Sequence, residues 1–126
     1  MLLAPIAIAI ADADVLVVTD SHHPVLAPAG TRIIALDQPS RIEADLAAHL
    51  PSDPVRGAAI VQRRLKNGGE ALHQQIARAY QGVADAWSLG ITRIPAVVVD
   101  QRYVVYGESD VARAIARIDQ HRRAQP

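Results

Sequence analysis

With 126 residues, half of them apolar, the chain suits one domain and is long enough to bury a core. Thirteen basic residues balance thirteen acidic ones, which excludes a strong field aimed at nucleic acid, a membrane surface or an acidic substrate. Cysteine is absent, and with it a disulfide framework, a thiolate metal site, a cysteine nucleophile and any dithiol redox cycle.

Residues 1–13 are small and apolar and end in Ala11-Asp12-Ala13, a small-x-small pattern of the kind cut by signal peptidase. The stretch is too short for a membrane-spanning helix, which needs about 20 residues. It therefore reads as the end of a secretory signal, cleaved after Ala13 to leave a single domain over 14–126. The competing reading is a buried N-terminal strand.

Val-Leu-Val-Val-Thr over 15–19 is a β-branched run suited to a central strand covered on both faces. Residues 20–30 hold Pro24, Pro28 and Gly30, and are expected to form an irregular loop. A second strand follows over 31–36. Ser40-Arg41-Ile42-Glu43 has the form of a capping box, with Ile42, Leu46 and Leu50 at helical spacing behind it and Pro51 as the stop.

Asp53-Pro54 pairs an N-cap with a proline at the first helical position, predicting a helix to about residue 66, where Asn67-Gly68-Gly69 ends it. The next helix, 70–89, is the longest. Leu72, Ile76, Tyr80, Val83 and Trp87 draw one apolar stripe along it, and that stripe is expected to supply most of the core contacts. Ile94-Pro95 then opens a strand over 96–99, followed by a tight turn at Gln101-Arg102, a strand carrying Tyr103 and Tyr106 on opposite faces, and a helix capped by Ser109. Val111, Ile115 and Ile118 are its inward positions.

Few residues invite chemistry. Asp20, Ser21, His22 and His23 include the residue types of a hydrolase triad, but neighbours in sequence point different ways. No helical pair or other ligand spacing joins His22 and His23 to His49 or His73 in a metal site. The plain reading is a solvent-exposed loop braced by Asp20 or Ser21. Arg63, Arg64 and Lys66 read as a solvated helix end, and Asn67-Gly68-Gly69 lacks the lysine and hydroxyl residue of a phosphate loop.

The order strand, strand, helices, strand, strand, helix, with proline entering the third strand, resembles a thioredoxin-like fold. The resemblance implies an α/β domain with a four-stranded mixed sheet in the order 2-1-3-4, an expanded helical middle and a C-terminal β-β-α unit. It also implies that the Ile94-Pro95 loop lies against the loop after the first strand, where Ser21 and Pro24 take the places of the two catalytic cysteines. Serine forms no disulfide, so the scaffold is expected without its redox activity. What remains is a candidate peptide or partner site formed by Ser21, His22, His23, Pro24, Ile94 and Pro95. Only about 11 residues join the first two strands, close to the minimum for a parallel crossover of about a dozen. The first helix of the fold is therefore expected to shrink to a turn and leave one sheet face thinly covered.

The segments Thr19-Asp20-Ser21-x-His23-Pro24 and Gly90-Ile91-x-x-Ile94-Pro95-Ala96-Val97-Val98, with Val105-Tyr106-Gly107, further resemble a family of small exported proteins encoded in bacterial integrating conjugative elements, distantly similar to the pilus-assembly protein TrbC. That resemblance implies a periplasmic, non-enzymatic accessory or assembly protein of a type IV secretion system. Its partners would be other conjugation or secretion-system proteins, with no nucleic acid, no membrane span, no cofactor and self-association left open. The alternative is a ligand-binding, thiol-binding or isomerase-like enzyme that uses the Ser21 to Pro24 loop against Pro95.

Overall fold

The computed structural model describes residues 14–125, and the expected export segment, 1–13, lies outside them. Strands β1 (Val15–Thr19), β2 (Arg32–Ala35), β3 (Ala96–Val99) and β4 (Tyr103–Tyr106) form one sheet in the order β2-β1-β3-β4. β1 runs parallel to β2 and antiparallel to β3, and β3 is antiparallel to β4. This is the mixed four-stranded order expected from the sequence. Among the described residues three helices accompany it: α1 (Gln38–Leu46), α2 (Pro54–Ser88) and α3 (Val111–Ala124). None among the described residues is long and apolar enough to cross a membrane.

The two inner strands hold the core. Val17, Val18, Val97 and Val98 are each at most 1 % exposed, and full burial of such a side chain contributes about 1.5–3 kcal/mol. Leu16, Val18, Ala96 and Val98 face Ala86 of α2, together with Ile34 of β2. Val17 and Val97 face Val111 and Ala114 of α3, with Val25 and Ala27 packed alongside. Residues 20–31 cross from β1 to β2 without a helix, as their prolines and short length predict. The segment is pinned to the start of α3, where the Leu26 amide donates to the Ser109 carbonyl at 2.8 Å and the Val111 amide to the Leu26 carbonyl at 2.9 Å. Cover on this face is thin, and Leu26 stays 71 % and Ile33 of β2 46 % exposed.

Three helix boundaries differ from the sequence expectation. The backbone is already helical at Gln38, with Asp37 as N-cap and Pro39 in the first turn. Ser40 therefore falls inside the helix and donates its hydroxyl to the Asp37 carbonyl at 3.0 Å instead of capping. α1 also ends a turn before Pro51, and Arg64 reaches over to donate to the carbonyls of Leu46 and Ala48 at 2.8 and 2.7 Å. Arg64 is thus a tether between α1 and α2, not part of a solvated helix end. At α3 the cap is Asp110, which accepts from the Arg113 amide, since the Ser109 carbonyl is held by Leu26. The β3–β4 turn lies one residue earlier than expected, with Asp100 and Gln101 both at φ 55 and the Arg102 amide closing on the Val99 carbonyl.

The Asn67-Gly68-Gly69 break is present as a kink, not a stop. The chain stays helical through Gly68 and departs only at Gly69 (φ 63, ψ −156). The apolar stripe expected on the second arm is displaced around the helix. Leu72, Ile76 and Val83 are half-buried, whereas Tyr80 is 50 % and Trp87 81 % exposed. Ala79, Gly82 and Ala86 take the inward positions. Space dictates this, because a Cβ at Gly82 would stand 3.2 Å from Ile34 Cγ2. Only small residues let α2 lie so near the sheet.

Candidate functional site

β1 ends at Thr19 and β3 begins at Ala96, and the antiparallel register pairs Val18 with Ala96. Both expected halves of the site, the 20–24 loop and Ile94-Pro95, therefore leave the sheet at the same end of neighbouring strands. No hydrogen bond among the described residues joins them.

The loop is braced from within and from below. Thr19, 5 % exposed, donates its hydroxyl to the His23 carbonyl at 2.6 Å. Asp20 accepts from the His22 amide at 3.0 Å and pairs with His23 Nδ1 at 2.7 Å. The His23 amide closes the turn on the Asp20 carbonyl. Ser21 is tied to α1, since its amide and its hydroxyl both donate to the Asp37 carboxylate. The bracing expected of Asp20 is present, while that of Ser21 runs across the fold. Ser21, His22, His23 and Pro24 are all exposed.

On the other side the Ile94-Pro95 peptide is cis. Pro95 is buried, and its carbonyl accepts from the Gly107 amide at 2.8 Å. Arg93 lies over the Tyr106 ring at 5.0 Å, a cation–π contact that holds the approach to the proline. Ile94 is half-buried, and its own amide and carbonyl take no partner among the described residues. Pro95 therefore shapes the site from below, and Ile94 offers its backbone.

Two carboxyls carry the electrostatics. The His23 hydrogen bond holds Asp20 below its ordinary value of 3.8, and the Ser21 hydrogen bond does the same for Asp37. A hydroxyl that already donates to a weakly basic carboxylate is poorly placed for nucleophilic attack, which needs a base to take its proton. His23 spends Nδ1 on Asp20 and leaves Nε2 to bind. The described residues contain no group of three or more His, Asp or Glu side chains able to hold a metal ion.

Sequence reading missed Thr19 and Asp37 as parts of this site. Asp37 did carry a signal, because Asp-x-Pro is a common way to begin a helix, but Ser40 with Glu43 offered a rival cap.

Both depressed carboxyls favour the ionised folded state, so their contribution is complete above the ordinary value of 3.8 and is lost as pH falls below it. Asp20→Asn and Asp37→Asn are each expected to flatten the acid limb of stability below about pH 4. Urea titrations from pH 2.5 to 6 check this; an unchanged limb in both variants would contradict the pairings.

The fold and site together define a cysteine-free α/β protein with a mixed four-stranded sheet and a self-braced polar loop beside a cis-proline. The chain belongs to the family described as Protein of unknown function (DUF1525), whose profile matches residues 12–124. No curated protein and no solved structure matched it.

Proposed function

We propose that this chain is a thioredoxin-like protein without enzymatic activity, which docks a partner on the surface formed by Ser21, His22, His23, Pro24 and Ile94. The strand order, one parallel and two antiparallel pairings and the cis-proline entering β3 support the thioredoxin-like reading. The observation that carries the docking reading is the contrast at this sheet end. Asp20, the Ser21 hydroxyl and His23 Nδ1 are engaged in bracing, while the Ile94 amide and carbonyl are left to pair with an incoming strand. The location is periplasmic, and the partners are components of a conjugative type IV secretion system of an integrating conjugative element, as the sequence resemblance implies.

Deleting the gene from a conjugative element and measuring transfer frequency tests this reading. Transfer should drop and return on complementation, and the mature protein should be recovered from the periplasm beginning at Asp14. Unchanged transfer, or a cytoplasmic protein, would refute it. One observation favours the enzymatic alternative: the Asp20–His23 pair leaves Nε2 as a base facing solvent. A turnover that disappears with His23→Ala in a folded protein would establish that alternative instead.

A further inference from the structure

Among the described residues β2 is an edge strand, and its outer side is unpaired. The Leu36 amide donates to the Thr19 carbonyl at 2.8 Å, which sets the phase of the parallel ladder. Residues 32, 34 and 36 turn their backbone groups to β1, and Ile33 and Ala35 turn theirs outward. Neither takes a backbone partner among the described residues. Natural sheets usually block such an edge with charge, proline or a covering element. Here it opens onto a cavity of about 380 Å³ between β2 and α2, floored by Ala79 and Gly82 and flanked by Gln75 and Arg78.

The charges around the cavity choose its occupant. Asp85 is committed to Arg32 at 2.6 Å and to Gln81 at 2.8 Å. Among the described residues Arg78 donates its guanidinium only to Gln74, at 3.1 Å, and has no carboxylate partner. A second copy paired edge to edge would turn two Arg78-bearing grooves toward each other, so self-association is disfavoured. We propose that the β2 edge takes an extended acidic segment of another protein as a fifth strand. Ile33 and Ala35 supply the backbone ladder. Side chains of the guest on the α2 side alternate by two, so a small aliphatic residue fits over Ala79 and Gly82 and a Glu or Asp two positions away meets Arg78. The site lies along the β2 edge, separated from β3 by β1, and does not depend on the docking surface proposed above at the end of β1 and the start of β3.

The test uses the full chain and two probe peptides, acetyl-Thr-Val-Thr-Glu-Thr-amide and its Glu-to-Lys counterpart, followed by amide NMR. The acidic peptide should give saturable shifts at Ile33 and Ala35 and bind more tightly than the basic one. Ala35→Pro removes an outward amide without touching the β1 ladder and should weaken binding by about tenfold or more, while Arg78→Glu should reverse the preference between the peptides. If Ala35→Pro does not fold, Arg78→Glu decides alone. Equal binding of both peptides, no saturable binding to the parent chain, shifts confined to residues 20–24, or unaltered preference in Arg78→Glu would each overturn the proposal.

Discussion

Gly69→Ala should be among the most damaging single-methyl changes in this chain, lowering stability by about 1–3 kcal/mol, the usual cost of forcing a side chain into a conformation that only glycine visits freely. Nothing stands within 4 Å of a Cβ placed there, so the penalty is conformational, arising from φ 63 and ψ −156. Its neighbour differs. A Cβ on Gly68 would meet Leu72 Cβ at 2.6 Å, so Gly68→Ala pushes the two arms of α2 apart by direct contact. The fold of α2 matters because α1 is tethered to the first arm through Arg64 and the sheet is covered by the second. A domain is typically stable by only about 5–15 kcal/mol, so either change removes a large fraction. Urea unfolding of both variants beside Asn67→Ala, which stays helical, checks the assignment. Equal stability of all three would mean that the kink is not required.

Thr19→Val should have the largest effect on the candidate site for the smallest change in shape. It removes the hydroxyl that donates to the His23 carbonyl at 2.6 Å, at a position only 5 % exposed. Losing a buried donor while its acceptor stays behind costs about 1–2 kcal/mol. It should also free the turn over 20–24, read as altered amide shifts at His22 and His23 with β1 and β3 unmoved. Shifts unchanged at the histidines would contradict the bracing role.

The strands were legible because β-branched runs such as Val-Leu-Val-Val-Thr and Ala-Val-Val-Val can be buried on both faces only in the middle of a sheet. The polar loop and Ile94-Pro95 were legible for a related reason, since chain punctuation sits where strands end. The inward face of α2 was not. Periodicity finds a helix but cannot choose between adjacent stripes, and here the deciding quantity was the room left by Ile34. Large aromatics lost to alanine and glycine, which is why Trp87 ended on the surface. Asp37 escaped for another reason: its carboxylate acts on Ser21, 16 residues away, through a contact that exists only once α1 is docked. Caps were misplaced by a few residues wherever two candidates competed, as with Ser40 against Asp37 and Ser109 against Asp110.

The 20–24 loop, as a braced docking surface, should be needed for conjugative transfer. The most direct measurement is transfer frequency from a gene-deleted element complemented with the Ser21→Ala, His22→Ala, His23→Ala triple variant, with its fold verified by circular dichroism. If the loop docks a partner, the folded variant fails to restore transfer. Full restoration by that variant would contradict the account.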